Sequence, residues 1–414
     1  MELSLSISNK VDKCRVCNAE LPSAFFDLGV QPLANNLLSD IQDDEPLVPL
    51  SLVHCPCCEL VQLTHTVAPD VLFRDYVWVS GTAKTTRDYA DVFCDAVMSR
   101  LPAGNDVIIN EVASNDGTFL RPFANRGMMV LGIDPARNIA EIAQNSGIPT
   151  YSEFFGTDAA SYVVNKQGNA DVVIARNVIP HVADVNDVIA GIHILLKENG
   201  LGVIEFHDAS VIQQELHYDS IYHEHLFYFT ITTIIRLLAQ HGLHGFDISQ
   251  SPISGGSIVI YFSKQAREKS EALQVMIDKE RVNGVNALPQ WQRFAQDCAL
   301  HKSNLIAVIH ELRAKGKVIA GYGASARSAT MLNYCGLGRE DIAVIADQNT
   351  MKQGRLAPGS HIPIVSPEDA IASQPDAFIL LAWNFSQELR ELLFEKYDFS
   401  GTIIQPLPNE VTVK

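Results

Sequence analysis

The segment Tyr222-His223-Glu224-His225 places phenol, imidazole and carboxyl groups side by side. Imidazole titrates near neutral pH, so a histidine here is suited to remove a proton from a carbon next to a ketone. A neighbouring carboxylate can orient such a ring, and a phenol can donate a hydrogen bond to the enolate oxygen. Two other interpretations stay open: these histidines are ordinary partly buried side chains, or they form half of a metal site.

Two CxxC pairs, Cys14/Cys17 and Cys55/Cys58, have the ligand type and local spacing that a tetrahedral thiolate site needs. In a chain of 414 residues such pairs indicate a metal rather than disulfides. Four thiolates saturate zinc and leave no open position, so we predict a structural zinc ion. Cys57 lies within the second pair and is an alternative ligand to Cys58, and four free buried thiols are the other interpretation.

A turn that ends at Gly117 follows a predicted buried strand, and the next predicted strand ends at Asp134. In open α/β sheets an acidic residue at that place accepts hydrogen bonds from the ribose of a cofactor. The turn has one glycine where a dinucleotide fingerprint has three, which favours S-adenosylmethionine, a cofactor without phosphate. The alternative is that Asp134 only caps a helix. We expect the cofactor to contact Glu111, Asn115, Gly117, Asp134 and Asn177.

A second turn of small residues, from Gly321 to Ser328, links a predicted strand to a helix. Free N–H groups at a helix start favour an anion. A tight turn without a ligand and half of a dinucleotide site are the other interpretations. We expect a cradle for a nucleotide diphosphate built from Gly323, Ser325, Arg327, Ser328, Lys352 and Arg355.

Three regions must position these residues. Residues 1–70 are rich in turns, with short extended pieces at Phe25–Gly29 and Gln31–Asn35. Residues 71–265 alternate apolar strands with helices, which predicts a parallel sheet covered on both faces and an antiparallel edge hairpin near residue 255. Residues 266–414 begin with helices and continue as a smaller α/β unit, whose edge strand we expect at Thr402–Ile404. The strands predicted for the central sheet are Val107–Val112, Met129–Asp134, Ala170–Arg176 and Gly202–His207.

Charge and composition narrow the classes of partner. The formal net charge of −17 disfavours nucleic-acid binding. No apolar run approaches about 18 residues, the length that a membrane span requires. The first ten residues lack the basic start and apolar core of a secretory signal. We therefore expect a cytoplasmic protein with neither nucleic-acid nor membrane partners.

In combination, the motifs resemble those of the sugar C-methyltransferases of deoxysugar pathways, which act on nucleotide-linked 4-keto sugars at C-3. The resemblance implies an α/β architecture with an N-terminal zinc module (1–70), a Rossmann-like class I methyltransferase domain (71–265) and a smaller nucleotide-sugar-binding domain (266–414). Ala113 departs from it, since such enzymes usually carry glycine there. The motifs that carry the resemblance are Cys14–Cys17, Gln31–Ala34, Cys55–Leu63, Asn115–Gly117, Tyr222–His225, Gly321–Ala324 and Gly359–Pro363.

The same resemblance implies a reaction centre made of Tyr76, His181, Tyr222, Glu224 and His225. His225 is the leading candidate for the base, and Glu224 orients it or shares the role. Tyr222 and His181 position the sugar or polarise its ketone, and Tyr76 lies against the methyl end of the cofactor. His223 stands beside this set as a substrate contact and a second candidate base.

The implied reaction is S-adenosylmethionine-dependent methylation of a carbon atom, in a 4-keto deoxysugar linked to a nucleotide such as TDP, through an enolate. Three alternatives remain at this point: an NAD-dependent sugar-nucleotide oxidoreductase or epimerase, a sugar O-methyltransferase, and a non-catalytic scaffold. The turn after the first predicted strand has a single glycine, Gly117, and this counts against the oxidoreductase or epimerase.

Overall fold

The computed structural model describes residues 7–74, 76, 79–101 and 107–414. Within these residues, nineteen strands form sheets of two, four, seven and six strands. In the same part of the chain, no helix combines the length and the apolar composition that crossing a membrane requires.

The N-terminal part is built from antiparallel strands. Strand β1 pairs with β5, and β2, β3 and β4 form a sheet that β11 (Phe227–Tyr228) extends from the central part. The two extended pieces predicted here, Phe25–Gly29 and Gln31–Asn35, belong to one strand, β2, with a bulge between Asp27 and Val30. A short helix, Pro69–Phe73, follows. The five strands are β1 (Ser8–Lys10), β2 (Phe26–Pro32), β3 (Leu47–His54), β4 (Val61–Leu63) and β5 (His65–Val67).

The central sheet has seven strands in the order β12-β13-β10-β9-β6-β7-β8. Strands β6 to β10 are parallel. The central strands β6, β9 and β10 are mostly buried, because both faces of the sheet are covered. β13 and β12 add the antiparallel hairpin that the sequence predicted. The strands are β6 (Ile108–Val112), β7 (Met129–Ile133), β8 (Thr150–Tyr151), β9 (Ala170–Arg176), β10 (Leu196–His207), β12 (His244–Ser251) and β13 (Ser257–Ser263). The α-helices of this part are Lys84–Met98, Arg121–Asn125, Arg137–Asn145, Thr157–Gln167, Val185–Leu195, Ala209–Gln214 and Ile231–Gln240.

The C-terminal part begins with two helices, Glu271–Asn283 and Leu288–Ala314, and ends in a six-stranded sheet ordered β16-β15-β14-β17-β18-β19. The predicted edge strand is wrong, because β19 pairs antiparallel outside β18. The strands are β14 (Ile319–Tyr322), β15 (Ile345–Ala346), β16 (Ile364–Val365), β17 (Ala377–Leu380), β18 (Thr402–Gln405) and β19 (Thr412–Val413). The helices between them are Ala326–Cys335, Pro367–Ala372 and Ser386–Glu391.

One buried apolar cluster runs through all three parts, with Phe26, Ile204 and Trp291 among its members. The ring of Phe26 packs edge-on against Phe294 at 5.7 Å and Tyr334 at 5.9 Å. This continuity fixes the three parts of the chain around the space between them, where the carboxyl ends of β6, β7 and β9 meet the turn after β14.

Candidate active site

A cavity of about 740 Å³ occupies that space, and all three parts of the chain contribute to its wall. Five predicted residues are not in its wall: Gly117, His223, Glu224, Ser328 and Arg355. The predicted residues that line it are Tyr76, Glu111, Asn115, Asp134, Asn177, His181, Tyr222, His225, Gly323, Ser325, Arg327 and Lys352.

Two acidic residues mark the half of the cavity beside β6 and β7. Asp134 accepts hydrogen bonds from the backbone N–H groups of Asn115 at 2.8 Å and Ala136 at 2.9 Å. Each carboxylate oxygen keeps a second lone pair that a ribose hydroxyl can use, so Asp134 can both shape the turn and accept from a ligand. Burial raises the pKa of Glu111 to about 8. A cation bound beside Glu111 would favour its charged form.

The turn after β6 is built on left-handed residues. The φ angles are 52° at Ala113, 51° at Asn115 and 76° at Gly117. A Cβ at Gly117 would lie 2.8 Å from the side chain of Ile148, so this glycine shapes the turn instead of contacting a ligand. Asparagine tolerates the left-handed conformation, whereas alanine pays a cost of about 1 kcal/mol in it. The Ala113 N–H nevertheless donates to the Ile133 carbonyl at 2.7 Å, which holds the turn in place.

The ring of His225 is fixed at both nitrogens. Nδ1 lies 2.7 Å from the carbonyl oxygen of Ser220, and Nε2 lies 2.7 Å from the hydroxyl of Tyr222. A carbonyl only accepts, so the proton of the neutral ring is on Nδ1 and the Tyr222 hydroxyl donates to Nε2. The ring of His181 packs edge-on against His225, with centroids 4.7 Å apart. Burial lowers the pKa of His181 to about 4 and that of His225 well below its ordinary value, so both rings are neutral bases.

Glu224 is buried behind the cavity wall and is held by two donors. Its Oε1 accepts from the Asn35 side-chain amide at 2.6 Å, and its Oε2 accepts from the Tyr76 hydroxyl at 3.0 Å. The expectation that Glu224 orients His225 is therefore wrong, because the Ser220 carbonyl holds that ring. Burial raises the pKa of Glu224 to about 7 against the two hydrogen bonds, which lower it.

The prediction that His223 contacts substrate is also wrong. His223 is buried and its Nε2 lies 3.1 Å from the carbonyl oxygen of Val48 in β3, away from the cavity. Residues 221–226 form a turn rather than an extended segment, so His223 and His225 do not share a face. Burial lowers the pKa of His223 to about 4, as expected for a neutral histidine inside the protein.

Two cations from the C-terminal part reach the cavity, each beside a carboxylate. The Arg327 guanidinium lies 3.3 Å from Asp219 and over the ring of Trp383 at 4.9 Å. Lys352 donates to the Ala324 carbonyl at 2.7 Å and lies 3.8 Å from Asp347. These contacts hold both side chains in place at the cavity wall.

Two residues predicted for the diphosphate cradle, Ser328 and Arg355, do not line the cavity. The Ser328 hydroxyl accepts from the Ser325 N–H and donates to the Ser325 carbonyl, so it completes a capping box. Arg355 is exposed and is not among the residues that line the cavity. The other four residues predicted for the cradle, Gly323, Ser325, Arg327 and Lys352, line the cavity.

The four CxxC cysteines come together, and their Sγ atoms all lie within 4.8 Å of one another. The pairs Cys14–Cys58 and Cys17–Cys55 are each 3.5 Å apart, too long for a disulfide and close to the roughly 3.8 Å between sulfurs around tetrahedral zinc. The Gln62 amide donates to the Cys14 sulfur at 3.1 Å, as an outer-shell partner would. Cys57 is exposed and lies outside the cluster, so Cys58 is the ligand.

The comparisons with known proteins agree with this architecture. Models of a zinc binding domain, a methyltransferase domain and a C-methyltransferase C-terminal domain match residues 14–73, 87–247 and 252–408. C-methyltransferase NovU of Streptomyces niveus is 33% identical over 406 residues, which is 97% of each chain. The chain belongs to the C-methyltransferase family. The ubiquinone biosynthesis O-methyltransferase of Bartonella quintana (strain Toulouse) is 30% identical over 105 residues, 25% of this chain and 42% of that protein.

A solved structure is also similar to this C-methyltransferase. Magnesium protoporphyrin IX methyltransferase from Synechocystis PCC 6803 with bound SAM has a TM-score of 0.33, with 14% identity over 43% of this chain and 79% of that one. Family membership confirms the predicted class I fold, S-adenosylmethionine as the cofactor and a structural zinc ion. Family membership also rules out the three alternatives, which were an NAD-dependent oxidoreductase or epimerase, an O-methyltransferase and a non-catalytic scaffold.

Sequence reasoning missed Asn35, Ser220 and Asp219. Asn35 was only part of the Gln31–Asn35 segment, and a role for it required knowing that it reaches Glu224 across the fold. Ser220 acts through its backbone carbonyl, to which the residue type gives no clue. Asp219 lies just before the Tyr222 segment, and the available signal was an acidic residue close to that segment. Its ion pair with Arg327 is seen only in the structure.

Proposed function

We propose that this C-methyltransferase methylates C-3 of a nucleotide-linked 4-keto deoxysugar, with TDP as the expected nucleotide. The observation that carries the proposal is the single cavity that joins the Asp134 half to the Arg327 and Lys352 half, with Tyr222 and His225 lining it as well. A donor at one end and a diphosphate at the other would place the sugar beside the imidazole. The positive charges of Arg327 and Lys352 suit a diphosphate in a protein whose net charge is −17.

We assign the cofactor to the half of the cavity built on β6, β7 and β9. Asp134 accepts from the ribose hydroxyls, and Glu111, Asn115 and Asn177 hold the amino-acid portion. The bound cofactor supplies an electrophilic methyl group on a sulfonium sulfur. The residues of the protein then have two tasks, which are to make the sugar carbon nucleophilic and to align it.

His225 makes the carbon nucleophilic. The 4-ketone acidifies the hydrogen on C-3, and Nε2 of His225 accepts that proton while Nδ1–H stays bonded to Ser220. Tyr222 donates to Nε2 before substrate arrives. When its hydroxyl turns from Nε2 to the ketone oxygen of the bound sugar, it frees the lone pair of Nε2 for the proton and is in place to donate to the enolate oxygen. The proton leaves the ring readily because burial disfavours the imidazolium.

Methyl transfer to a panel of TDP-, UDP- and GDP-linked keto sugars tests the substrate class. We expect product with the 4-keto sugars and a new C–CH3 signal in the NMR spectrum. Arg327→Ala should raise KM at least tenfold, because it removes a cation from the cavity wall. Arg355→Ala removes the same charge from the exposed loop and is the matched control, with KM unchanged. Equal effects of the two variants, or no product with any keto sugar, would reject the proposal.

A further inference from the structure

Asn35 is one of the residues through which the zinc-binding part of the chain reaches the reaction centre. Its side-chain amide donates to Oε1 of Glu224 at 2.6 Å, although 189 positions separate the two residues. Asn35 also lines the cavity, whereas the Glu224 carboxylate lies behind its wall and is 2% exposed. A carboxylate this deeply buried is stable only when donors satisfy it.

The segment that carries Asn35 is anchored on several sides. It leaves β2, which pairs with β3, and β3 leads directly into the zinc ligand Cys55. Three residues after Asn35, Leu38 forms a two-way backbone bridge with Leu356 of the C-terminal part at 3.1 and 2.8 Å. Ala34 packs on the helix Ala326–Cys335. The amide of Asn35 therefore has a fixed position relative to the zinc cluster and to both other parts of the chain.

We propose that Asn35 is a positioning residue for Glu224, so that the zinc module helps to order the reaction centre as well as to hold its own fold. Asn35 fixes one carboxylate oxygen and leaves the other to the hydroxyl of Tyr76, a residue that lines the cavity. The chain Asn35–Glu224–Tyr76 thus fixes the position of a phenol ring in the cavity wall. This inference rests on the proposed function in placing the sugar carbon near Tyr76 and His225.

The groups around Glu224 make its protonation sensitive to Asn35. Among the described residues, the titratable groups that interact electrostatically with Glu224 are the phenols of Tyr76 and Tyr222, which are neutral at neutral pH. The balance is therefore between burial, which raises the pKa of Glu224, and the two hydrogen bonds, which lower it. Removing the Asn35 donor should raise that pKa by about one pH unit or more.

Asn35→Leu removes the donor at similar volume, and Asn36→Leu makes the same change at the neighbouring position and is the control. We expect kcat of Asn35→Leu to fall on the order of tenfold to a hundredfold, with S-adenosylmethionine affinity within twofold of wild type. The limb of its pH profile that belongs to Glu224 should move upward. Asn36→Leu should match wild type. In a double-mutant cycle, Asn35→Leu should cost little further activity in a Glu224→Gln background.

A substrate-free readout separates this inference from the proposed function. The Glu224 carboxyl can be titrated by 13C NMR, with Glu224→Gln to assign its signal. A higher pKa in Asn35→Leu than in wild type supports the inference even if no keto sugar is methylated. An unchanged carboxyl titration, an unchanged pH profile, or additive losses in the double-mutant cycle would overturn it.

Discussion

The hydroxyl of Tyr222 lies 2.7 Å from Nε2 of His225, while the carbonyl of Ser220 accepts a hydrogen bond from Nδ1–H on the opposite side of the ring. The tautomer is therefore set by the backbone, and the basic nitrogen points to a phenol in the cavity wall. A histidine held in this way is a neutral base before substrate arrives.

His225→Ala should lower kcat by a factor on the order of 100 to 10,000, the usual range for loss of a general base. Cofactor binding should change little, because Glu111 and Asp134 lie in another part of the wall. Turnover and S-adenosylmethionine affinity, measured on the same preparation, check this. A variant that loses affinity but keeps its rate at saturation would remove His225 from the role of base.

Glu111 should make cofactor binding dependent on pH. Burial raises the pKa of its carboxyl to about 8, so most molecules carry a proton there at pH 7. The cofactor brings an ammonium and a sulfonium, which stabilise the carboxylate and lower that pKa on binding. Affinity should therefore rise as the pH increases toward 8 and level off above it.

Calorimetry in two buffers of different ionisation enthalpy measures this directly. At pH 7 we expect proton release on cofactor binding in the wild type and a smaller release in Glu111→Gln. Equal proton release from the two proteins would show that another group is responsible.

Zinc content should distinguish the two adjacent cysteines of the second pair. Cys58→Ser removes one of four clustered sulfurs and should lose zinc and unfold at a lower temperature. Cys57→Ser makes the same chemical change at an exposed thiol and should keep one zinc per chain. Metal analysis of the purified variants shows which of the two cysteines binds zinc. Zinc loss in Cys57→Ser alone would contradict the assignment of Cys58 as the ligand.

Ala113→Gly should stabilise the protein. A φ of 52° costs alanine about 1 kcal/mol, and the greater freedom of glycine in the unfolded chain offsets part of the gain, so the free energy of unfolding should rise by less than that amount. Gly117→Ala at φ 76° is the opposite test and should lower stability, because its Cβ would meet Ile148. Thermal unfolding of both variants measures this. A lower midpoint for Ala113→Gly would mean that the methyl group of Ala113 contributes contacts that outweigh the strain.

Much of the fold was predictable because the deciding signals are local. The strands of the central sheet are apolar runs between turn residues, and two CxxC pairs in one chain of this size indicate a thiolate metal site from their spacing. The contact between Tyr222 and His225 also has a local origin, since three positions along one turn bring the two side chains together.

The features that could not be predicted depend on the direction in which a side chain points, or on a partner that is distant in the sequence. His223 and His225 point opposite ways because their segment turns, and alternation along an extended strand would have placed them on one face. Arg355 and Lys352 share a loop, yet only Lys352 is buried toward the cavity. The two hydrogen-bond partners of Glu224, Asn35 and Tyr76, lie 189 and 148 positions away, so neither neighbouring residues nor composition could reveal them.

Deuterium exchange at the carbon next to the ketone tests the account most directly. A TDP-linked 4-keto sugar is incubated in D2O with the enzyme and S-adenosylhomocysteine, which fills the cofactor half without supplying a methyl group. We predict that the wild type replaces the C-3 hydrogen with deuterium and that His225→Ala does not. Retention of that hydrogen by a wild-type enzyme that still methylates the sugar would contradict an enolate formed by His225.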